Sequence, residues 1–175
     1  MRGIERSAET SKYAHREREQ RWLLRASPAE AGVAATIAIE DRYLTGTRLR
    51  LRRVESDGVV VFKLAQKVRT GDGSPHEVSL TNIYLDASEY ALLAALPASV
   101  LTKTRRRLPA LSVDEFHDAL DGLVLAEVEL REGEPRRAAP ASAVADVTGD
   151  DRFSGGALAT TTAADLRELL ASFGL

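Results

Sequence analysis

Residues 15–24 read "HREREQRWLL" and are charged at almost every position until an apolar end. Successive side chains of a strand point to opposite faces, so a strand here would have charges on both faces. One face would hold Glu17, Glu19 and Arg21, and the other Arg16, Arg18 and Gln20. A strand of a globular protein normally hides one face from water. This segment therefore predicts a sheet in which Glu17, Glu19 and Arg21 lie on an enclosed, charged side, while Arg16, Arg18 and Gln20 face solvent.

The composition is that of one ordinary globular domain. The chain has 175 residues, of which 44% are hydrophobic and 29% charged, with a formal net charge of -2. This balance gives no overall attraction to nucleic acid or to a membrane surface. The sequence has no cysteine, which excludes disulfides and thiolate metal sites. We predict a flexible tail over residues 1–12 and a single domain over residues 13–175.

The sequence also gives expectations about location. The N-terminus lacks the apolar segment of a signal peptide, and no apolar run approaches the ~20 residues needed to cross a bilayer. We therefore expect a cytoplasmic protein.

Like charges recur at alternate positions of several strand-like segments. Glutamates occupy positions 17 and 19 and positions 127 and 129, and arginines occupy positions 48, 50 and 52. Lys63 with Lys67 and Lys103 with Arg105 add two further basic places. Residues two apart on a strand lie roughly 6.5–7 Å apart on one face. Because solvated faces usually mix their charges, this sorting by sign indicates two complementary clusters that face one space.

A barrel of about eight strands can enclose such a space, with helices covering its apolar outer face. Paired glutamates provide the hard oxygen ligands that magnesium and manganese prefer. Arginine side chains match phosphate oxygens in a bidentate manner. The pattern predicts a β-barrel that holds a polyanion and a divalent metal.

Turn and cap signals predict the remaining elements. Residues 45–53 and 58–68 read as a hairpin with a four- or five-residue connection around Asp57. Asp86 and Glu89 form a capping-box pattern for a helix that ends near Pro97. The C-terminal residues 161–175 read as an amphipathic helix. Residues 112–116 carry a capping-box pattern, which favours a helix, and a family pattern that favours a strand, and we predict the strand.

That family pattern is a resemblance to the CYTH superfamily, also called triphosphate tunnel metalloenzymes. "EREQR" resembles its Glu-x-Glu-x-Lys signature, and "RLRLR", "FKLAQK", "KTR", "VDEF", "GLVLAEVEL" and "DVTGDDRF" follow in the family order. The resemblance implies an eight-stranded antiparallel barrel with flanking helices, mainly β in class. It also implies a metal-dependent hydrolase of inorganic or organic triphosphates, with magnesium or manganese as cofactor.

The resemblance assigns roles by position. The implied catalytic residues are Glu17, Glu19, Arg21 and Glu129. The implied substrate-binding residues are Arg48, Arg50, Lys63, Lys67, Lys103 and Arg105, with either Lys63 or Lys67 as the family lysine. The implied metal ligands are Glu17, Glu19, Glu127, Glu129 and Asp146. Arg21 departs from the signature lysine, and an arginine is effectively always protonated.

Two other functions fit the same residues. One is a nucleotidyl cyclase of the same superfamily, and the other is a module that binds polyphosphate or a nucleotide without turning it over. The basic run "KTRRR" at 103–107 has no flanking aromatic platform for nucleic acid. We expect a small-molecule triphosphate as partner, no nucleic acid or membrane, and a monomer or homodimer.

Overall fold

The structure is a computed structural model that describes residues 14–27, 32–69 and 77–175. The predicted tail over residues 1–12 lies outside these ranges. The described residues form one antiparallel sheet with a few short helices. Its strands are β1 His15–Leu24, β2 Ala35–Leu44, β3 Leu49–Ser56, β4 Val59–Arg69, β5 Glu77–Leu85, β6 Ala98–Arg107, β7 Ser112–Phe116, β8 Val124–Leu130 and β9 Ala143–Asp146.

The sheet closes on itself. Its strand order is β5-β4-β3-β2-β6-β7-β8-β1-β9, and β1 also pairs with β5. The β1–β5 pairing joins eight strands into a ring, as the sequence predicted. The short strand β9 pairs with the last residues of β1, beyond the reach of β5. The predicted fold class, a mainly β protein built on an eight-stranded antiparallel barrel, is confirmed.

The β3–β4 hairpin corrects one expectation. β3 ends at Ser56 and β4 begins at Val59, so the connection has two residues rather than four or five. Asp57 has φ +52° and Gly58 has φ +76°. Two-residue hairpin turns of this kind need positive φ at both central positions, and the Asp-Gly pair tolerates it.

The helices begin where their caps predict. Helix α1, Ala87–Ala94, has the predicted capping box of Asp86 and Glu89. The short helix α2, Gly155–Leu158, follows a 3-10 turn at Asp151–Phe153. Helix α3, Ala163–Ala171, starts at the cap residue Thr162. Residues 112–116 are a strand, so the family pattern rather than the local capping signal predicted this segment correctly.

The apolar core has two parts. One cluster lies on the inner face at one end of the barrel, where strand residues such as Leu23, Leu101 and Leu125 contact Phe153 and Leu158 from the C-terminal segment. The other cluster lies on the outer face and contains Trp22, Val113, Ala126 and Val128, among others. The C-terminal segment therefore closes one end of the barrel and leaves the charged part of the interior next to this apolar end.

The outer face of β1 is also less exposed than the sequence suggested. Gln20 was expected to face solvent, yet it is 2% exposed. Its side-chain oxygen accepts a hydrogen bond from the backbone amide of Arg137, and its amide donates to the Arg137 carbonyl. Arg18 donates to the carbonyls of Arg131 and Glu134. The segment after β8 thus covers this face and satisfies its polar groups.

Among the described residues, no helix has the length and apolar character needed to span a bilayer.

Candidate functional site

A cavity of about 380 Å³ lies inside the barrel, between the charged inner face and the C-terminal segment. Six basic side chains line it, namely Arg21, Arg48, Arg50, Arg52, Lys67 and Lys103. Two acids, Glu19 and Asp41, line it as well. Apolar residues such as Leu49, Leu101 and Phe153 complete the wall. The predicted gathering of strand charges around one space is therefore present in the structure.

Arg21 joins three parts of the site. Its Nε donates to Glu127 Oε1 at 2.8 Å, its Nη2 donates to Glu19 Oε2 at 3.2 Å, and its Nη1 donates to the Phe153 carbonyl at 2.9 Å. Burial alone would lower the pKa of Arg21, but attraction to Glu127 and Glu19 outweighs burial and raises it. Arg21 therefore stays charged and connects β1, β8 and the C-terminal segment through hydrogen bonds.

The first glutamates of β1 share a lysine. Lys67 Nζ lies 2.6 Å from Glu17 Oε2 and 3.7 Å from Glu19 Oε1. The contact with Glu17 is an ion pair without hydrogen-bond geometry, and Glu17 Oε2 is buried with no hydrogen-bond partner within the described ranges. Lys63 lies on the same face of β4 but is placed over the Tyr84 ring, 5.0 Å from its centroid. Of the two lysines that the sequence left open, Lys67 is the one that lines the cavity.

Asp114 is the buried centre of a second charge cluster. It is 0% exposed, and its carboxylate accepts hydrogen bonds from Lys103 Nζ at 2.5 Å and from Arg105 at 2.6 and 2.7 Å. Arg105 also donates to Glu127 Oε2 at 2.5 Å. Burial would raise the pKa of Glu127, but the charges of Arg21, Arg105 and Lys103 hold it well below its usual range. Both oxygens of Glu127 are therefore engaged by arginines.

Burial also acts on the lysine of this cluster. Lys103 is 7% exposed. Among the predicted substrate-binding residues that the structure describes, it alone is buried. Loss of hydration lowers the pKa of Lys103 despite the attraction of Asp114 and Glu127, and Arg105 repels its charge further.

Asp41 is the buried acid of a third cluster, on β2. Arg52 donates to both of its oxygens at 2.6 Å, and Arg50 Nε lies 3.5 Å from Oδ1. Burial would raise the pKa of Asp41, but Arg52, Arg50 and Lys103 outweigh burial and lower it to about 2. Arg52 thus has a fixed acidic partner, whereas Arg50 makes a longer contact.

Tyr43 and Gly155 form the wall between β2 and the C-terminal segment. A Cβ atom on Gly155 would lie 1.9 Å from the Tyr43 hydroxyl, so no larger residue fits there without displacing the tyrosine. Burial and the charge of Asp41 raise the pKa of Tyr43, which keeps the phenol neutral. Both residues line the cavity.

The remaining predicted residues lie at the margins. Arg48 precedes β3, is exposed and lines the cavity. Glu129 faces Glu19 across the β1–β8 pair and lies 3.9 Å from His15. Asp146 pairs with Trp22, on the other face of β1 from Arg21, and its carboxylate accepts hydrogen bonds from Arg136 and Thr148. The structure does not bring Asp146 to the other predicted metal ligands.

The carboxylates are distributed rather than clustered. In the part of the chain that the structure describes, no three histidine, cysteine or acidic side chains converge as a group that could hold a metal ion. Each of Glu17, Glu19, Asp41, Asp114 and Glu127 instead contacts a basic side chain. The sign-sorted strands of the sequence therefore become mixed pairs once the barrel closes.

Sequence reasoning missed two acidic residues of the site, Asp41 and Asp114. Asp114 lies in "VDEF", where it alternates with Phe116 on one face of β7. Asp41 lies in "ATIAIEDRYL", where Ile37, Ile39, Asp41 and Tyr43 follow one another at strand spacing. For Asp41 the available signal was an acid that continues a largely apolar inner face, whereas Asp114 shares its face with Ser112 as well as Phe116 and gave no such signal.

The fold and the interior define a closed eight-stranded antiparallel barrel with a charged cavity. Two solved structures of NE1496 resemble it. One, described as an inorganic triphosphatase, has a TM-score of 0.54 and 23% identity over 83% of this chain and 95% of that chain. The other, described as a hypothetical protein, has a TM-score of 0.55 and 24% identity over 83% of this chain and 99% of that chain. No family model and no curated protein matches the sequence.

Proposed function

We propose that the protein is a divalent-metal-dependent hydrolase of triphosphates, which bind in the barrel cavity. The observation that carries this proposal is the lining of that cavity, where six basic side chains surround about 380 Å³. Arginine and lysine side chains are suited to the oxygens of a phosphate chain. The similarity in fold to NE1496, a protein described as an inorganic triphosphatase, supports the same reaction class.

The residues at the start of β1 fit a divalent metal. Glu17 and Glu19 supply hard oxygen donors on one face, and a buried oxygen of Glu17 lacks a hydrogen bond. Glu129 lies across from Glu19 in the β1–β8 pair but does not converge with these two carboxylates as a three-acid group. Glu127 and Asp146, which the resemblance also named, are engaged by arginines. When bound, magnesium or manganese would neutralise phosphoryl charge and favour attack by water.

The protein groups would act mainly by positioning and by electrostatic stabilisation. Phosphoryl transfer needs little covalent chemistry from the protein, so a fixed set of cations around the transferred group can lower the barrier. Arg48, just before β3, would contact the phosphate chain together with Arg50 on β3 and Lys67 on β4. Arg21, with Lys103 and Arg105, would fix the acids beside it. The apolar end formed by Phe153 and Leu158 would limit access of bulk water.

The direct test is phosphate release from tripolyphosphate, ATP and thiamine triphosphate, each with magnesium or manganese. We expect release from at least one of the three with metal and none in EDTA. A companion thermal-shift assay compares tripolyphosphate with orthophosphate at matched ionic strength. A ligand at a hundredfold excess over its Kd stabilises a protein by about 2.7 kcal/mol. Equal shifts with the two anions would contradict binding along a chain of basic residues.

One observation favours a second candidate, a module that binds triphosphate without hydrolysing it. All three guanidinium nitrogens of Arg21 are engaged by protein acceptors. The resemblance places a lysine at this position, whereas the guanidinium of Arg21 is fully used in contacts within the protein. Tight binding of tripolyphosphate with no phosphate release under any metal condition would support this module over the hydrolase.

A further inference from the structure

Helix α1 lies on the outside of the barrel. The Tyr90 ring stacks on Phe62 of β4 with 4.3 Å between the ring centroids, and Arg42 of β2 donates to the Ala94 carbonyl at 3.0 Å. Side chains alternate between the two faces of a strand, so Phe62 lies on the opposite face of β4 from the cavity residue Lys67. The helix is therefore attached to the outer wall, away from the cavity.

This helix carries apolar side chains on two opposite sides. The half-buried side, toward the barrel, consists of Tyr90, Leu93 and Ala94. The outward side has the spacing i, i+3, i+4, i+7, i+8 and is exposed throughout, at Ser88, Ala91, Leu92, Ala95 and Leu96. Apolar residues at this spacing are typical of a helix face that packs against another element. No residue of α1 is buried, so the outward side lacks such a cover within the chain.

The exposed apolar surface continues beyond the helix. Leu92 is 76% exposed, and Ile83 at the end of β5 and Val100 at the start of β6 are exposed as well. Val100 pairs with Arg42, the residue that contacts the end of α1. With Leu96, these residues expose on the order of 400 Å² of apolar surface, and each partner of a standard interface buries about 800 Å², slightly more than half of it apolar. The surface thus has the apolar area that one side of a stable dimer needs.

The charges around this surface favour a second copy of the chain as the partner. No charged residue occurs from position 90 to position 102. On the neighbouring outer faces of β2 and β3, charges occur as pairs within the chain, Arg42 with Glu40 at 3.5 Å and Arg53 with Glu55 at 2.6 Å. Such a surface has no excess of one sign to attract an acidic or basic partner. It does complement an identical surface across a two-fold axis, where the same patch meets itself.

A lipid surface fits the helix less well. Helices that lie on membranes are rich in lysine and arginine on their polar face. In contrast, α1 has Glu89 in its first turn and no basic residue in its last turn.

We infer that two copies of this chain form a dimer in which the outward side of α1 packs against the same side of the second α1 across a two-fold axis. Leu92 lies at the centre of this contact, and the flanking alanines at 91 and 95 allow the two helices to approach closely. The contact lies outside the barrel, so it is independent of the triphosphate cavity.

The test is sedimentation velocity of the full chain from about 1 µM to about 100 µM. We expect wild type to reach the mass of two chains. Leu92→Glu should weaken association by at least about tenfold, because a carboxylate would be buried against an apolar surface. Leu92 is exposed in the single chain, so this variant should fold, which circular dichroism checks. The matched control Ala164→Glu adds the same charge at an exposed position of α3 and should associate as wild type does.

A single cysteine can locate the contact, because the chain has none of its own. A short bismaleimide cross-linker should join two chains of Leu92→Cys faster than two chains of Ala164→Cys. The inference is overturned if wild type stays a monomer at about 100 µM. It is also overturned if Leu92→Glu associates as strongly as Ala164→Glu, or if the two cysteine variants cross-link at the same rate. Binding of monomeric wild type to phosphatidylglycerol vesicles, lost in Leu92→Glu, would assign the surface to lipid instead.

Discussion

Replacement of Asp114 by asparagine should destabilise the barrel strongly. Asp114 is 0% exposed and accepts hydrogen bonds from both Lys103 and Arg105. Asparagine keeps the size of the side chain but leaves Lys103 buried without its nearest negative charge. Breaking a buried ion pair by removing one partner costs about 3–5 kcal/mol. For a domain of this size, 1 kcal/mol lowers Tm by roughly 2–4 °C, so we expect Tm to fall by roughly 6–20 °C.

Circular dichroism during thermal and urea unfolding measures this change. Asp121→Asn is the matched control, because Asp121 is exposed and its replacement should change the free energy of unfolding by no more than about 0.5 kcal/mol. The double variant Asp114→Asn with Lys103→Met removes the stranded charge and should recover part of the loss. A loss below about 1 kcal/mol in Asp114→Asn would refute the view that this carboxylate anchors the interior charges.

Three further outcomes follow from the same contacts. Glu17→Gln should abolish metal-dependent phosphate release while the protein stays folded, because Lys67 keeps Glu19 as an acidic neighbour at 3.7 Å after its contact with Glu17 is lost; unfolding of the variant with normal activity per folded molecule would assign Glu17 a structural role. Arg21→Lys should lower the free energy of unfolding by about 1–3 kcal/mol in urea titrations, because one ammonium cannot serve the three acceptors of the guanidinium, and an unchanged midpoint would contradict this. Asp41 has a folded pKa of about 2, below the ordinary aspartate value of 3.8, so it contributes stability above about pH 4 that is lost as the pH falls toward 2. That contribution is about 2 kcal/mol, and Asp41→Asn should remove this part of the acid dependence in pH-dependent unfolding.

The barrel itself could be predicted because strand periodicity is a local property. The bounds of β1 agree with the segment of residues 15–24, and the alternate placement of Glu17, Glu19 and Arg21 on the inner face follows from the side-chain period of two. The hairpin length could not be predicted as easily. Whether Ser56 and Val59 belong to the strands or to the turn depends on pairing across the hairpin, which the local composition does not encode.

The predicted site residues gather around the interior in part. Arg48, Arg50, Lys67 and Lys103 line the cavity, whereas Lys63 lies over Tyr84. The two faces of a strand are readable from spacing, but the position along the barrel axis depends on the stagger between neighbouring strands. Lys63 and Lys67 share a face and differ only in that position, so the sequence alone could not separate them.

The pairing of opposite charges also required the closed barrel. Along each strand the charges are sorted by sign, yet across strands Arg21 meets Glu127 and Lys67 meets Glu17. Like charges that face one another in a space of low dielectric repel strongly, so an enclosed interior of this composition is stable only if strands of opposite sign lie side by side. Charges that are sorted by sign along each strand thus form a network of opposite charges once the strands lie side by side.

Arginine at position 21 fits this network better than lysine would. Its acceptors belong to three different elements, namely Glu19 on β1, Glu127 on β8 and the carbonyl of Phe153 in the C-terminal segment. A planar guanidinium presents five donors in a rigid fork, whereas an ammonium is a compact charge on a flexible stem. A single fork can therefore hold both acids and the segment that closes the barrel in one arrangement. Arg21, which departs from the signature lysine, therefore connects the charged interior to the apolar end of the barrel.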